Sequence, residues 1–178
     1  METKRVIMDG KAMQRAIARI SYEIIEHNRG ASDLCVIGIL SRGVNVGRRI
    51  ADKISELENT AVPFGVLDIT PYRDDIEMRD HAEKTEIDFD IRDRNVIVVD
   101  DVIFTGRSAR AALDALMKRG RPRTIQLAVL VDRGHRELPI RPDYIGKNLP
   151  TSHEEVVRVG VSEVDGSDCV AIYNSAKQ

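Results

Sequence analysis

The stretch NVIVVDDVIFTGRSARAAL, residues 95–113, constrains the fold of this chain more than any other. Four apolar β-formers, Val96–Val99, predict a buried strand. Two carboxylates follow, Asp100 and Asp101, and then a turn containing Thr105, Gly106, Arg107 and Ser108. From Ser108 the pattern turns helical as far as Arg119, with Gly120 as its stop. A strand that is apolar on both faces and feeds a helix belongs to a mostly parallel sheet covered on both sides.

The flanking sequence repeats that alternation. Met13, Ala16, Ile17, Ile20 and Ile24 recur at helical spacing within residues 10–29, with Asp9 placed to cap the helix and Gly30 to end it. Leu34–Leu40 predicts a buried strand, Gly43–Glu56 a helix and Pro63–Ile69 a second strand. Residues 70–93 form a polar, acid-rich stretch, long for a structureless loop and therefore expected to be a functional lid. Thr124–Val131 predicts a fourth strand. Residues 133–178 mix Pro, Gly and short β-like runs, Val156–Val161 and Cys169–Tyr173, and are expected to form a small hood-like subdomain against the sheet. The expectation is a single α/β domain spanning residues 1–178.

Bulk properties exclude several classes. A net charge of -2 gives no global basic field, so a nucleic-acid partner needs a local basic face. Cys35, between Leu34 and Val36, and Cys169, beside Val170, predict reduced core thiols and no disulfide. No apolar run approaches membrane-spanning length, so a cytoplasmic protein with no membrane partner is expected.

The chemistry concentrates at residues 96–108. In a parallel sheet, ligands bind beyond the carboxyl ends of the strands, where this turn must lie. Free N–H groups at the start of the following helix suit a phosphate, Gly106 lets the backbone approach it, and Thr105 and Ser108 add hydroxyl donors. Adjacent carboxylates repel a bare phosphate but suit a ligand with hydroxyls or a bound divalent cation. A second turn, Ser41-Arg42-Gly43, follows the first predicted strand, and Arg42 is equipped for charge-assisted bonds to anionic oxygens.

With those residues in view, VIVVDDVIFTGRS resembles the signature by which type I phosphoribosyltransferases bind 5-phosphoribosyl-1-pyrophosphate (PRPP). The resemblance implies that family's fold. It implies that Asp100 and Asp101 take the ribose diol and that the loop Val102, Ile103, Phe104, Thr105, Gly106, Arg107 and Ser108 holds the 5-phosphate. Ser41 and Arg42 would receive the pyrophosphate, and the lid with Tyr72 and Arg73 would close over it. Magnesium would arrive bound to PRPP, with no direct protein ligand.

The block IQLAVLVDRGHRELPIRPDYIGKNLPTS is similar to the pyrimidine operon regulators within that family, which join uracil phosphoribosyltransferase activity to pyrimidine-dependent RNA binding. This implies uracil as acceptor, UMP as product, Arg133 and the Val157 backbone around the base, and dimers or tetramers. His135 is a candidate general base, although a hydrogen-bonded loop histidine is the commoner case. For the leader RNA of pyrimidine genes, Arg15, Arg19 and Tyr22 share a helix face with Glu26, and Arg141 and Lys147 would join it. The chain departs from RNA-binding members at Ala18, Tyr22 and His27, where they carry threonine, histidine and arginine. The competing expectation is a salvage enzyme without RNA regulation.

Overall fold

The computed structural model describes residues 3–75 and 82–174, so part of the polar stretch 70–93 lies outside the described residues. Among the described residues, a five-stranded parallel sheet carries the order β3-β2-β4-β5-β6. Its strands are β2 (Leu34–Ile39), β3 (Phe64–Leu67), β4 (Asn95–Ile103), β5 (Thr124–Asp132) and β6 (Tyr144–Asn148). Every residue of β2 is buried, as are Val96–Val99 at the centre of β4, which explains their unbroken apolar runs. A second, antiparallel sheet of order β1-β8-β7 joins β1 (Thr3–Asp9) to β7 (Glu155–Gly160) and β8 (Cys169–Asn174).

Helix α1 (Gly10–Asn28) buries Met13, Ala16, Ile17, Ile20 and Ile24, the stripe predicted from spacing. The Asp9 carboxylate accepts a 2.7 Å bond from the Ala12 amide and caps the helix as expected. Its other end differs: the left-handed cap residue is Arg29 (φ 58°), one position before the predicted Gly30. Helix α2 (Arg42–Glu58) lies beside α1 on one face of the sheet, and α3 (Arg107–Arg119) covers the other. A short helix, α4 (Ser162–Asp165), links β7 to β8.

Three expectations need correction. β4 continues through Asp100 and Asp101 to Ile103, because Asp100, Val102 and Ile103 keep parallel partners on β5. The region 133–178 does not stand apart as one hood: β6 completes the main sheet, and the small sheet borrows its edge strand β1 from the other end of the chain. Cys35 is buried and its thiol is pushed up to about 12 by burial, but Cys169 is only partly buried and borders a cavity. No helix among the described residues is long and apolar enough to cross a membrane.

Candidate functional site

The sheet order reverses at β2, whose two neighbours β3 and β4 follow it in sequence on opposite sides. A crevice at such a switch point, beyond the carboxyl ends of the strands, is where open α/β sheets bind ligands. The two turns singled out in the sequence lie there. β2 runs out into Leu40 and Ser41, joined by a cis peptide bond, and α2 starts at Arg42. Beside it β4 ends in the two aspartates, and the turn after Ile103 delivers α3.

Gly43 sets the approach of these turns. A Cβ built on it would lie 2.7 Å from the Val99 carbonyl oxygen and 3.1 Å from the Asp100 Cα, so the first turn of α2 is seated against the end of β4. A cavity of about 660 Å³ opens there, lined by Ser41, Arg42, Asp101, Val157, Asp165 and Tyr173 among others. It joins the main sheet to the small one.

The aspartates differ in role. Burial, reinforced by the adjacent Asp101, pushes Asp100 well above the usual carboxylate range. Its Oδ1 accepts a 2.9 Å bond from the Asp101 amide. Asp101 borders the cavity with Arg42. Arg42 donates from Nη2 to Asp165 Oδ1 at 2.8 Å, and that hydrogen bond raises its already high pKa.

The phosphate turn is held from behind. Gly106 adopts φ 92°, a left-handed conformation natural to glycine, and caps α3. Val102 packs toward the α1–α2 side and Ile103 is buried on the α3 side, so these two serve the turn as backbone and packing. Arg136 donates to the Phe104 carbonyl at 2.8 Å and to Asp132 Oδ2 at 2.5 Å. The amides of Glu137 and Leu138 both donate to the Thr105 carbonyl. The Arg107 amide donates to Thr105 Oγ1 at 3.4 Å, and the first-turn amides of α3, which have no intrahelical acceptor, suit an anion. Ser108 is partly buried in the first turn of α3. The Arg107 side chain is drawn outward to Asp74 Oδ2 (2.6 Å) and Glu137 Oε2 (2.8 Å), tying the turn to the start of the polar stretch. Arg73 pairs with Asp75, while Arg110 donates to the Tyr72 carbonyl at 2.7 Å.

Arg133 and Val157 do not border one common cavity. Val157 borders the cavity with Arg42, whereas Arg133 borders a second one with His135 and Arg141. The Arg133 guanidinium lies 4.0 Å from the centroid of the Phe104 ring. Arg133 is buried, which lowers its pKa, and it donates to Thr151 Oγ1 (3.1 Å) and to the Ser152 carbonyl (2.9 Å). His135 bonds through Nε2 to the Thr151 carbonyl and through Nδ1 to His153 Nε2 (2.9 Å), the hydrogen-bonded loop histidine expected as the commoner case.

The presumed basic surface is partly engaged within the fold. Arg19 donates to the Ile145 and Gly146 carbonyls at 3.2 and 2.6 Å and pairs with Glu23, so it ties α1 to β6. Arg15, Tyr22, Arg141 and Lys147 are exposed. Sequence reasoning missed Asp165, Arg136 and Glu137. Their pairings with Arg42, Phe104 and Arg107 reach far along the chain, and no local pattern signals them.

Comparison with known proteins sets this geometry in context. The phosphoribosyl transferase domain family matches residues 6–163. The chain is 56% identical over 180 residues to the "Bifunctional protein PyrR" of Acetivibrio thermocellus, covering 99% of this chain and 98% of the relative. It is likewise 56% identical over 173 residues to the protein of that name from Limosilactobacillus fermentum, covering 94% and 97%. The hypoxanthine phosphoribosyltransferase structure of Trypanosoma cruzi superposes with a TM-score of 0.75 at 14% identity, over 98% of each chain.

Proposed function

Because the chain belongs to the phosphoribosyl transferase family and aligns nearly end to end with its PyrR members, we propose that it is a uracil phosphoribosyltransferase that also regulates pyrimidine genes by UMP-dependent binding to their leader RNA. The observation that carries the catalytic half is the meeting of Arg42 and Asp101 in one cavity at the switch point of the sheet, beside a glycine-capped helix start.

In this reading the 5-phosphate of PRPP sits on the α3 amides with Thr105 and Ser108, and the ribose diol is bound by Asp100 and Asp101. Arg42 neutralises charge on the pyrophosphate as the C1′–oxygen bond breaks and the uracil N1 attacks from the opposite face, its proton leaving to solvent. The protein supplies positioning and electrostatics, with no nucleophile of its own. Magnesium bound to the pyrophosphate would supply charge neutralisation there. The Asp101 carboxylate, a hard oxygen donor at the border of the cavity, fits an ion carried in on PRPP. Arg133 and the Val157 backbone frame the base, and the segment beginning at Tyr72 and Arg73 excludes water. Replacing both Asp100 and Asp101 by alanine is expected to abolish turnover with the fold retained. Wild-type activity in that variant would remove the ribose from this position.

The regulatory half rests on the near full-length likeness to PyrR proteins and on the exposed Arg15, Tyr22, Arg141 and Lys147. A gel shift with the organism's own pyrimidine leader RNA, with and without UMP, tests it. A nucleotide-dependent complex is expected. Turnover without any shift at low salt would leave a salvage enzyme.

A further inference from the structure

We propose that Asp165 is the resident counter-anion of the pyrophosphate subsite: it holds Arg42 while that subsite is empty and competes with departing pyrophosphate for the same guanidinium. The inference rests on Arg42 receiving pyrophosphate, as argued above.

The two side chains meet in fork geometry, Nη2 to Oδ1 at 2.8 Å and Nε to Oδ2 at 3.4 Å. That leaves only the Nη1 donors of Arg42 and one Nη2 hydrogen for another anion. Asp165 is oriented from behind, because its Oδ2 also accepts the Val161 amide at 2.9 Å. Both side chains border the cavity with Ser41 and Asp101, and the pair is about one-third exposed (37% and 31%). An anion arriving from solvent therefore reaches it without unfolding anything.

The pairing is also built into the scaffold. Arg49, two turns along α2 from Arg42, donates to Glu163 at 2.9 and 2.6 Å, to Asp168 at 2.9 and 2.8 Å, and to Ser162 Oγ at 3.0 Å. The Ser162 amide adds a 2.7 Å bond to Asp168. The helix that presents Arg42 thus grips the same turn that presents Asp165, and the acid is fixed opposite the cation. A carboxylate so placed repels pyrophosphate oxygens and must yield Arg42 for them to bind tightly. It reclaims Arg42 when they leave, which weakens product retention.

The test uses the full-length protein. Pyrophosphate affinity is measured by titration calorimetry, and pyrophosphate inhibition by varying PRPP, each across a range of magnesium concentrations. Asp165→Asn is expected to bind pyrophosphate about fivefold tighter, the scale set by a partly exposed ion pair, and to lower the KM for PRPP while the KM for uracil stays constant. Glu163→Gln removes the charge of one Arg49 partner but leaves Asp168 and Ser162 to hold the turn, and is expected to bind pyrophosphate as the wild type does. Unchanged or weaker binding in Asp165→Asn overturns the proposal. Weakening that grows with magnesium would make the residue a cation ligand instead, and equal tightening in Glu163→Gln would reduce it to a packing effect. Calorimetry reads the proposal even if uracil and PRPP give no turnover, an outcome that would count against the transferase reading alone.

Discussion

Replacing Gly43 by alanine adds one methyl group at the point where the two halves of the site touch. The new Cβ would lie 2.7 Å from the Val99 carbonyl oxygen, 3.1 Å from the Asp100 Cα and 3.3 Å from Asp100 Oδ1. The first two are backbone atoms of β4, a strand paired on both edges, and cannot retreat as a side-chain tip would. Helix α2 must move instead, at an overpacking cost of about 1–3 kcal/mol. For a chain of this size each kcal/mol lowers Tm by about 2–4 °C, so a fall of roughly 2–12 °C is expected. Moving α2 carries Arg42 away from Asp101. A displacement of even about 1 Å is worth on the order of 100-fold in rate. Differential scanning calorimetry and kcat/KM for PRPP measure the two effects. Gly166→Ala is the control: φ is 76° but nothing lies within 4 Å of the added Cβ. It should cost about 1–2 kcal/mol and leave kcat/KM nearly unchanged. If Gly43→Ala keeps wild-type Tm and activity, the argument that backbone contact sets the site is refuted.

Other consequences follow from the same contacts. Burial and Asp101 raise the pKa of Asp100, so the folded chain binds a proton there that the unfolded chain releases as pH climbs past the ordinary carboxylate range. This contribution favours folding at low pH and is lost as pH rises toward the raised value. Asp100→Asn should therefore be more stable than wild type near pH 7, by on the order of 1 kcal/mol, with the advantage shrinking toward pH 4 in urea melts. Arg133→Ala removes the contact with Phe104 and the bonds to Thr151 and Ser152, and should raise the KM for uracil about tenfold or more with less effect on the KM for PRPP. Arg19→Ala and Arg15→Ala separate structure from RNA contact. The first frees the Ile145 and Gly146 carbonyls and should cost about 1 kcal/mol of stability. The second should leave Tm alone and reduce the salt slope of RNA binding by about 0.7.

What was legible in the sequence is what local pattern determines. The α1 stripe, the β2 run and the passage from Val96 to Ser108 each carry their structural signal within a few residues. Strand β4 is longer than its apolar core because pairing with β5 continues past the hydrophobic stretch, and Asp100 and Asp101 thus extend a strand instead of opening a turn. β1 was not anticipated because its partner β8 lies at the other end of the chain, and Arg5 and Val6 on it are exposed. β6 was missed because only Tyr144 of its five residues is buried, leaving no alternation to read. In the site, residue types that bind anions and hydroxyls were recognisable where they stood beside a turn. The pairings of Arg42 with Asp165 and of Arg107 with Asp74 and Glu137 depend on how distant segments pack. The family resemblance places Arg107 in the phosphate loop by its position in the motif, and only the packing shows that two acids hold its side chain.

The most direct measurement is a panel of free bases. Purified protein is mixed with PRPP, magnesium and, one at a time, uracil, hypoxanthine, guanine, adenine and orotate, and the nucleotide products are separated. UMP is expected from uracil with an equal amount of pyrophosphate, and no nucleotide from the other bases. Product from a purine with none from uracil would contradict the assignment to uracil.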